Sequence, residues 1–102
     1  MTLVPRRRSG AFVLFFWMRG CSVCADLWTN LRRRGLLAQA VRVHRIDVDK
    51  RPKVADCYHV VATPTLLAVR NGRVVRRICG YGGSRFASDV NRLFRAVDGS
   101  VR

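Results

Sequence analysis

Long apolar runs are missing from this sequence of 102 residues. The longest covers positions 11–18, far fewer than the ~20 apolar residues that span a bilayer. Arginines at positions 6–8 precede this run and give it a superficial likeness to a secretion signal. However, Met18-Arg19-Gly20 places a charge where a small-x-small cleavage site belongs. The sequence therefore predicts neither a membrane span nor a cleaved signal, and we expect a cytoplasmic protein.

Acidic residues are also scarce. There is no glutamate, and the chain has six aspartates against 20 lysines and arginines, which gives a net charge of +14. Such a charge attracts acidic proteins and nucleic acid through fields that salt screens. A nucleic-acid site usually gathers its basic residues on one face, whereas these arginines recur along the whole chain. This distribution favours a generally basic surface, with acidic proteins as candidate partners ahead of nucleic acid and no membrane partner.

The cysteine content is too low for a secreted disulfide scaffold, with four cysteines in the chain. Cys21 and Cys24 alone share a short spacing. A structural zinc site usually needs two close pairs of ligands, and among the remaining candidates, which are His44, Cys57, His59 and Cys79, only Cys57 and His59 are even locally paired. We therefore expect no metal site, and free thiols at Cys57 and Cys79.

Repeats, low-complexity stretches and linkers are absent, which predicts one domain over residues 11–97, between a short basic segment at 1–10 and a tail at 98–102. The continuous apolar run of β-branched and aromatic residues from Ala11 to Trp17 is typical of a strand buried on both faces. Asn71-Gly72 between two apolar segments predicts a β-hairpin. The predicted elements are a strand at 11–17, a helix at 22–34, a strand at 41–48, a short helix at 52–58, strands at 65–70 and 73–79, and a last helix opened by residues 82–84.

The order of these elements is β-α-β-α-β-β-α. A strand–helix–strand unit implies two parallel strands joined by a right-handed crossover, and the hairpin adds antiparallel strands. The sequence thus predicts an α/β domain with a mixed sheet of about four strands flanked by helices.

The cysteine pair lies at the junction between the first strand and the first helix. Unpaired N–H groups and the positive end of the helix dipole at this place favour an anion, so we expect the pKa of the Cys21 thiol to be lowered. Cys24 follows one helical turn later, within reach of a disulfide. Such a pair can exchange disulfides, the first thiol attacking and the second resolving the mixed disulfide.

The chain resembles the thioredoxin family over residues 11–97. The resemblance is carried by Trp17 four residues before Cys21, by "IDVDKRP", "ATPT" and "NGRVV", and by a glycine after the last strand. It implies a thioredoxin-like fold that is trimmed at its N-terminus, because residues 1–10 are too few for the strand and helix that usually open the family's fold.

The resemblance also implies roles for individual residues. Cys21 matches the attacking thiol and Cys24 the resolving one. Thr63-Pro64 matches the cis-proline loop that faces the disulfide and orients an extended substrate segment by backbone pairing. The remaining substrate-binding positions implied in this way are Trp17, Gly20, Ser22, Val23 and Gly80.

The chain departs from the family pattern at several positions, including Gly20 in place of a tryptophan just before the first cysteine and Thr29 in place of a kinking proline in the helix. Ser22-Val23 replaces the common Gly-Pro between the cysteines, so the family's redox potential does not carry over. Phe15 stands where many members have a buried carboxylate, and Arg45 where a lysine is frequent. Because the sequence shows no base for Cys24, we expect its deprotonation to be slower or to use water.

The leading hypothesis is a cytoplasmic thiol–disulfide oxidoreductase that reduces protein disulfides, with roles in electron transport and cell redox homeostasis. Its redox-active disulfide, Cys21–Cys24, would need no further cofactor, and a thioredoxin reductase or a small dithiol would recharge it. Two alternatives stay open. One is a basic thioredoxin-like subunit that binds an acidic protein or nucleic acid. The other is a glutaredoxin-like or exported thiol oxidase.

Overall fold

The computed structural model describes residues 10–38 and 41–98. Residues 1–9 and 99–102, which hold most of the predicted basic segment and tail, lie outside the described part. The described elements are β1 (Ala11–Trp17), α1 (Ser22–Arg33), a 3₁₀ turn (Leu36–Ala38), β2 (Arg42–Asp47), α2 (Pro52–Cys57), β3 (Thr65–Arg70), β4 (Arg73–Cys79) and α3 (Phe86–Val97). The predicted order is confirmed, and only the 3₁₀ turn was not expected.

The sheet has the strand order β2-β1-β3-β4 within the described residues. β1 pairs in parallel with β2 and antiparallel with β3, and β4 pairs antiparallel with β3. β1 therefore lies inside the sheet. This position explains why all of its residues are apolar, since each face of the strand packs against other elements. The predicted mixed sheet is confirmed.

Alternate residues of β1 supply two separate cores, because successive side chains of a strand point to opposite faces. Val13 and Phe15 pack with α1 and α3, while Leu14 and Phe16 pack with α2. All four are at most 1% exposed, and each such burial stabilises the fold by about 1.5–3 kcal/mol. β1 is thus covered by helices on both of its faces.

Helix α1 begins and ends where the sequence predicts. Cys21 is its N-cap residue, and Arg32 and Arg33 occupy its last turn, where they face the negative end of the helix dipole. Gly35 follows with φ at 74°, and its N–H donates to the carbonyl of Arg32 over 3.0 Å. A glycine adopts this left-handed conformation without the steric cost that a Cβ would bring. Gly35 therefore ends the helix where the sequence predicts.

The hairpin turn has the conformation that its two residues favour. Asn71 and Gly72 have φ values of 50° and 82°, as a type I′ turn requires. The Asn71 N–H also donates to the carbonyl of Gly10 over 2.8 Å, which ties the hairpin to the start of β1. None of the helices over the described residues has both the length and the apolarity to cross a membrane.

Candidate redox site

The two cysteines of the CxxC motif are joined as a disulfide at the start of α1. Their Cα atoms are 5.2 Å apart, within the range that disulfides adopt. As the N-cap residue, Cys21 uses its sulfur to accept a hydrogen bond from the N–H of Cys24 over 3.1 Å. The same N–H and the helix dipole would favour a thiolate at this sulfur after reduction.

The two cysteines differ in exposure. Cys21 is half-buried, whereas Cys24 is only 3% exposed. Cys24 lies one turn into the helix with its side chain in the core cluster between the sheet and α1. A reaction partner from solvent therefore has better access to the sulfur of Cys21, and the sulfur of Cys24 is placed to react mainly with that of Cys21.

A loop between α2 and β3 approaches Cys21. The Thr63–Pro64 peptide bond is cis, and the Thr63 hydroxyl donates to Sγ of Cys21 over 3.9 Å. The carbonyl of Pro64 accepts the Gly80 N–H over 2.8 Å, so the loop is also tied to the end of β4. The structure thus places Thr63 in contact with the sulfur of Cys21, and Gly80 in contact with the next residue of the same loop, Pro64.

A cavity of about 320 Å³ borders both cysteines. Its walls come from β1, the loop after it, the first two turns of α1, and β2. The lining residues are Phe15, Trp17, Met18, Arg19, Gly20, Cys21, Cys24, Ala25, Trp28, Thr29 and Arg45. Of the predicted substrate-binding residues, Trp17 and Gly20 belong to this wall, while Ser22 and Val23 are exposed on the first turn of α1.

Arg45 and Trp28 also line the site, although Trp28 was not predicted there and Arg45 was noted only as a departure from a frequent lysine. The guanidinium carbon of Arg45 lies 4.3 Å from the ring centre of Trp28 and 5.4 Å from that of Trp17, in the range of cation–π contacts. Phe15 meets Trp28 edge-on with ring centres 5.3 Å apart. The only signal in the sequence was the alternation of β2, which puts Arg45 on the face that α1 covers.

The remaining cysteines and histidines lie apart from this cavity. Cys57 and Cys79 are free and exposed, as the sequence predicts. Burial, and next the charge of Arg42, lower the pKa of His44, whose ring packs edge-on against Phe12 in the other core. In the part of the chain that the structure describes, no three potential ligands among Cys, His and Asp lie close enough to hold a metal ion.

Known proteins resemble this chain in sequence. The Thioredoxin family model matches residues 4–92. The chain is 32% identical to a thioredoxin of Listeria monocytogenes over 84 residues, covering 78% of this chain and 79% of that protein. It is 34% identical to a thioredoxin of Mycobacterium bovis over 80 residues, covering 74% of this chain and 69% of that protein.

Solved structures resemble the fold. A reduced thioredoxin pre-protein of Schistosoma mansoni superposes with a TM-score of 0.72 at 22% identity, covering 87% of this chain and 80% of that one. A mutant thioredoxin of Halobacterium salinarum gives 0.73 at 21% identity, covering 92% and 80%. These likenesses show the same arrangement of sheet and helices.

Proposed function

This chain belongs to the thioredoxin family and is a thiol–disulfide oxidoreductase, and we propose that Cys21 and Cys24 divide its reaction between them. It acts as a protein-disulfide reductase. The observation that supports the division is the geometry at the start of α1. There, a half-buried Cys21 sulfur accepts the N–H of a buried Cys24.

The first step is the attack of the reduced Cys21 thiolate on one sulfur of a substrate disulfide. A bond forms between Cys21 and that sulfur, the substrate S–S bond breaks, and the other substrate sulfur leaves as a thiolate that takes a proton from solvent. The Cys24 N–H and the positive end of the α1 dipole favour the attacking anion.

The second step releases the product. Cys24 loses its proton, and its thiolate attacks Sγ of Cys21. The mixed disulfide breaks, the second substrate sulfur leaves as a thiolate, and the Cys21–Cys24 disulfide remains. Two electrons have then passed from the protein to the substrate. The burial of Cys24 supports this order, because its sulfur is shielded from solvent and lies within bonding reach of Cys21.

The substrate segment binds in extended form along the loop at Thr63-Pro64. Backbone pairing with this loop would hold the segment as an added strand. Gly80 has no side chain and would leave space for that segment. Trp17 and Gly20 precede Cys21 at the end of β1 and in the loop after it, and Ser22 and Val23 lie between the two cysteines on α1. Support for this placement comes from the Thr63 contact with Cys21 and from the bond between Gly80 and Pro64.

The reaction takes place in the cytoplasm, with no cofactor beyond the disulfide itself. A thioredoxin reductase or a small dithiol returns the pair to its reduced state. Exposed free thiols at Cys57 and Cys79 are in keeping with a reducing compartment. The net charge of +14 would favour acidic protein substrates at low salt.

An insulin reduction assay with dithiothreitol tests this proposal. The wild type should accelerate precipitation of the insulin B chain, and Cys21→Ser should fall to the uncatalysed rate. Cys57→Ser is the matched control, because it removes an exposed thiol outside the proposed site and should keep wild-type activity. An inactive wild type, or an active Cys21→Ser, would contradict the proposal.

A further inference from the structure

The cavity beside the disulfide has two cationic groups in its wall and no carboxylate among its described lining residues. Arg19 and Arg45 both line it, and both are exposed. Within residues 10–38 and 41–98, neither guanidinium forms a hydrogen bond or an ion pair. Arg45 contacts only the faces of the two indoles. Each guanidinium therefore keeps its N–H donors available for an anion from solvent.

Within the described residues, the nearby aspartates form no ion pair with these arginines and do not line the cavity. Asp47 ends β2, but one of its carboxylate oxygens accepts the N–H groups of Asp49 and Lys50 in the following turn, at 2.9 and 3.4 Å. Asp26 lies two residues after Cys24 on α1 and is absent from the wall of the cavity. The lining of the cavity thus carries two cationic side chains and no anionic one, next to two sulfurs that undergo redox chemistry.

The size and walls of the cavity limit what fits. A volume of about 320 Å³ lies at the lower end of the range for small-molecule sites. The indoles of Trp17 and Trp28 suit a short apolar stem, and the guanidiniums suit a carboxylate or sulfonate. Since Cys21 and Cys24 form part of the same wall, a thiol at the other end of such a molecule would lie beside the disulfide.

We propose that this cavity admits a small anionic thiol, which reduces the Cys21–Cys24 disulfide. The inference rests on the proposed function, and it adds a small anionic monothiol to the reductants proposed there. The two indole rings would hold the guanidinium of Arg45 in place, and this guanidinium would bind the anionic group. Arg19 would add to the attraction.

The recharging reaction consumes two thiol molecules. The thiolate of the first attacks Sγ of Cys21, the Cys21–Cys24 bond breaks, and Cys24 leaves as a thiolate and takes a proton. The thiolate of the second attacks the small-molecule sulfur of the mixed disulfide and releases Cys21 as a thiolate. The two small thiols end as one disulfide, and the protein ends as a dithiol.

The test compares two thiols that differ in charge. Oxidised protein is mixed at low salt with 2-mercaptoethanesulfonate or with neutral 2-mercaptoethanol, and newly formed protein thiols are counted by alkylation and mass spectrometry. Rates are expressed per thiolate, which corrects for the different ionised fractions of the two thiols. The anionic thiol should react about three- to fivefold faster with the wild type, the gain expected from an exposed ion pair.

Single substitutions show which arginine causes the preference for the anionic thiol. Arg45→Gln should bring the rate ratio close to one, Arg19→Gln should lower it in part, and Arg45→Lys should retain most of it. Arg92→Gln is the matched control, because Arg92 is exposed on α3 and its loss changes the net charge equally. An equal fall in Arg92→Gln would overturn the proposal, because the preference would then come from overall charge.

The result is separable from that of the insulin assay. A wild-type ratio near one, together with active insulin reduction, would reject the anionic thiol and leave the proposed function intact. If the wild type were inactive with insulin while its ratio of thiol rates depended on Arg45, the reductase function would be rejected. Binding of an anionic thiol in the cavity would still be supported. Salt at about 0.5 M should lower the wild-type ratio, since it screens exposed charges.

Discussion

Phe15 lies opposite Arg45 in the parallel pairing of β1 and β2, and both side chains line the cavity that borders Cys24. This wall is therefore apolar and cationic, whereas the family resemblance associates a carboxylate with the position of Phe15. With no acid among the described lining residues, we expect Cys24 to give its proton to water when it resolves a mixed disulfide.

Removing the resolving thiol should trap the substrate. We expect Cys24→Ser to form a lasting mixed disulfide between Cys21 and a substrate sulfur, because no second thiol is placed to break it. Turnover should fall to background. Non-reducing electrophoresis and mass spectrometry of the variant with an oxidised peptide measure the adduct. An adduct of equal yield in Cys21→Ser would show that the roles are assigned in the wrong order.

Gly80 is predicted to matter for binding of the substrate segment as well as for the stability of the backbone. Its φ of 87° disfavours any residue with a Cβ, so Gly80→Ala should lower the free energy of unfolding by about 1–2 kcal/mol. Gly83 has a similar φ of 93°, and a Cβ would meet no atom within 4 Å at either position. Gly83→Ala is therefore the matched control.

Both glycine variants should lose similar stability in urea unfolding, but only Gly80→Ala should raise KM in insulin reduction. Equal effects of both substitutions on KM would indicate that Gly80 acts through stability alone.

His44 should make the stability depend on pH. Burial and Arg42 lower its pKa in the folded protein below the ordinary value of 6.5, so the unfolded chain binds the proton more readily. The stabilisation is complete above pH 6.5 and is lost as the pH falls through that value towards the folded pKa. Urea unfolding at several pH values between 5 and 8 measures this loss.

His44→Phe should reduce the loss of stability at low pH, because it removes the group that gains a proton on unfolding. His59→Asn is the control. His59 is exposed with a φ of 56°, which asparagine tolerates, and this variant should follow the wild-type curve. A His44→Phe curve parallel to that of the wild type would assign the pH dependence to other groups.

The core between the sheet and α1 should carry much of the stability. Leu27 is fully buried there, so Leu27→Ala should lower the free energy of unfolding by about 2–5 kcal/mol. Val61 is 96% exposed, and Val61→Ala should change it by less than about 0.5 kcal/mol. Chemical denaturation of both variants gives the comparison, and a cost below about 1 kcal/mol for Leu27→Ala would contradict the packing described above.

The amino-acid sequence by itself determined the order of the elements and most of their bounds. The apolar run of β1, the Asn71-Gly72 turn and the glycine after α1 act through neighbouring residues, so their patterns can be read along the chain. The position of Cys21 and Cys24 at the start of a helix is local in the same sense.

Only the tertiary structure decided which distant residues meet at the cysteines. Thr63 reaches Cys21 across 42 positions, and Arg45 reaches Trp17 and Trp28 through the register of β1 with β2. The family resemblance suggested the first contact, whereas the alternation of β2 indicated the face on which Arg45 lies but not which rings it meets. Strand register and helix packing depend on how all the buried side chains fit together, and that fit has no signature in any short stretch of sequence.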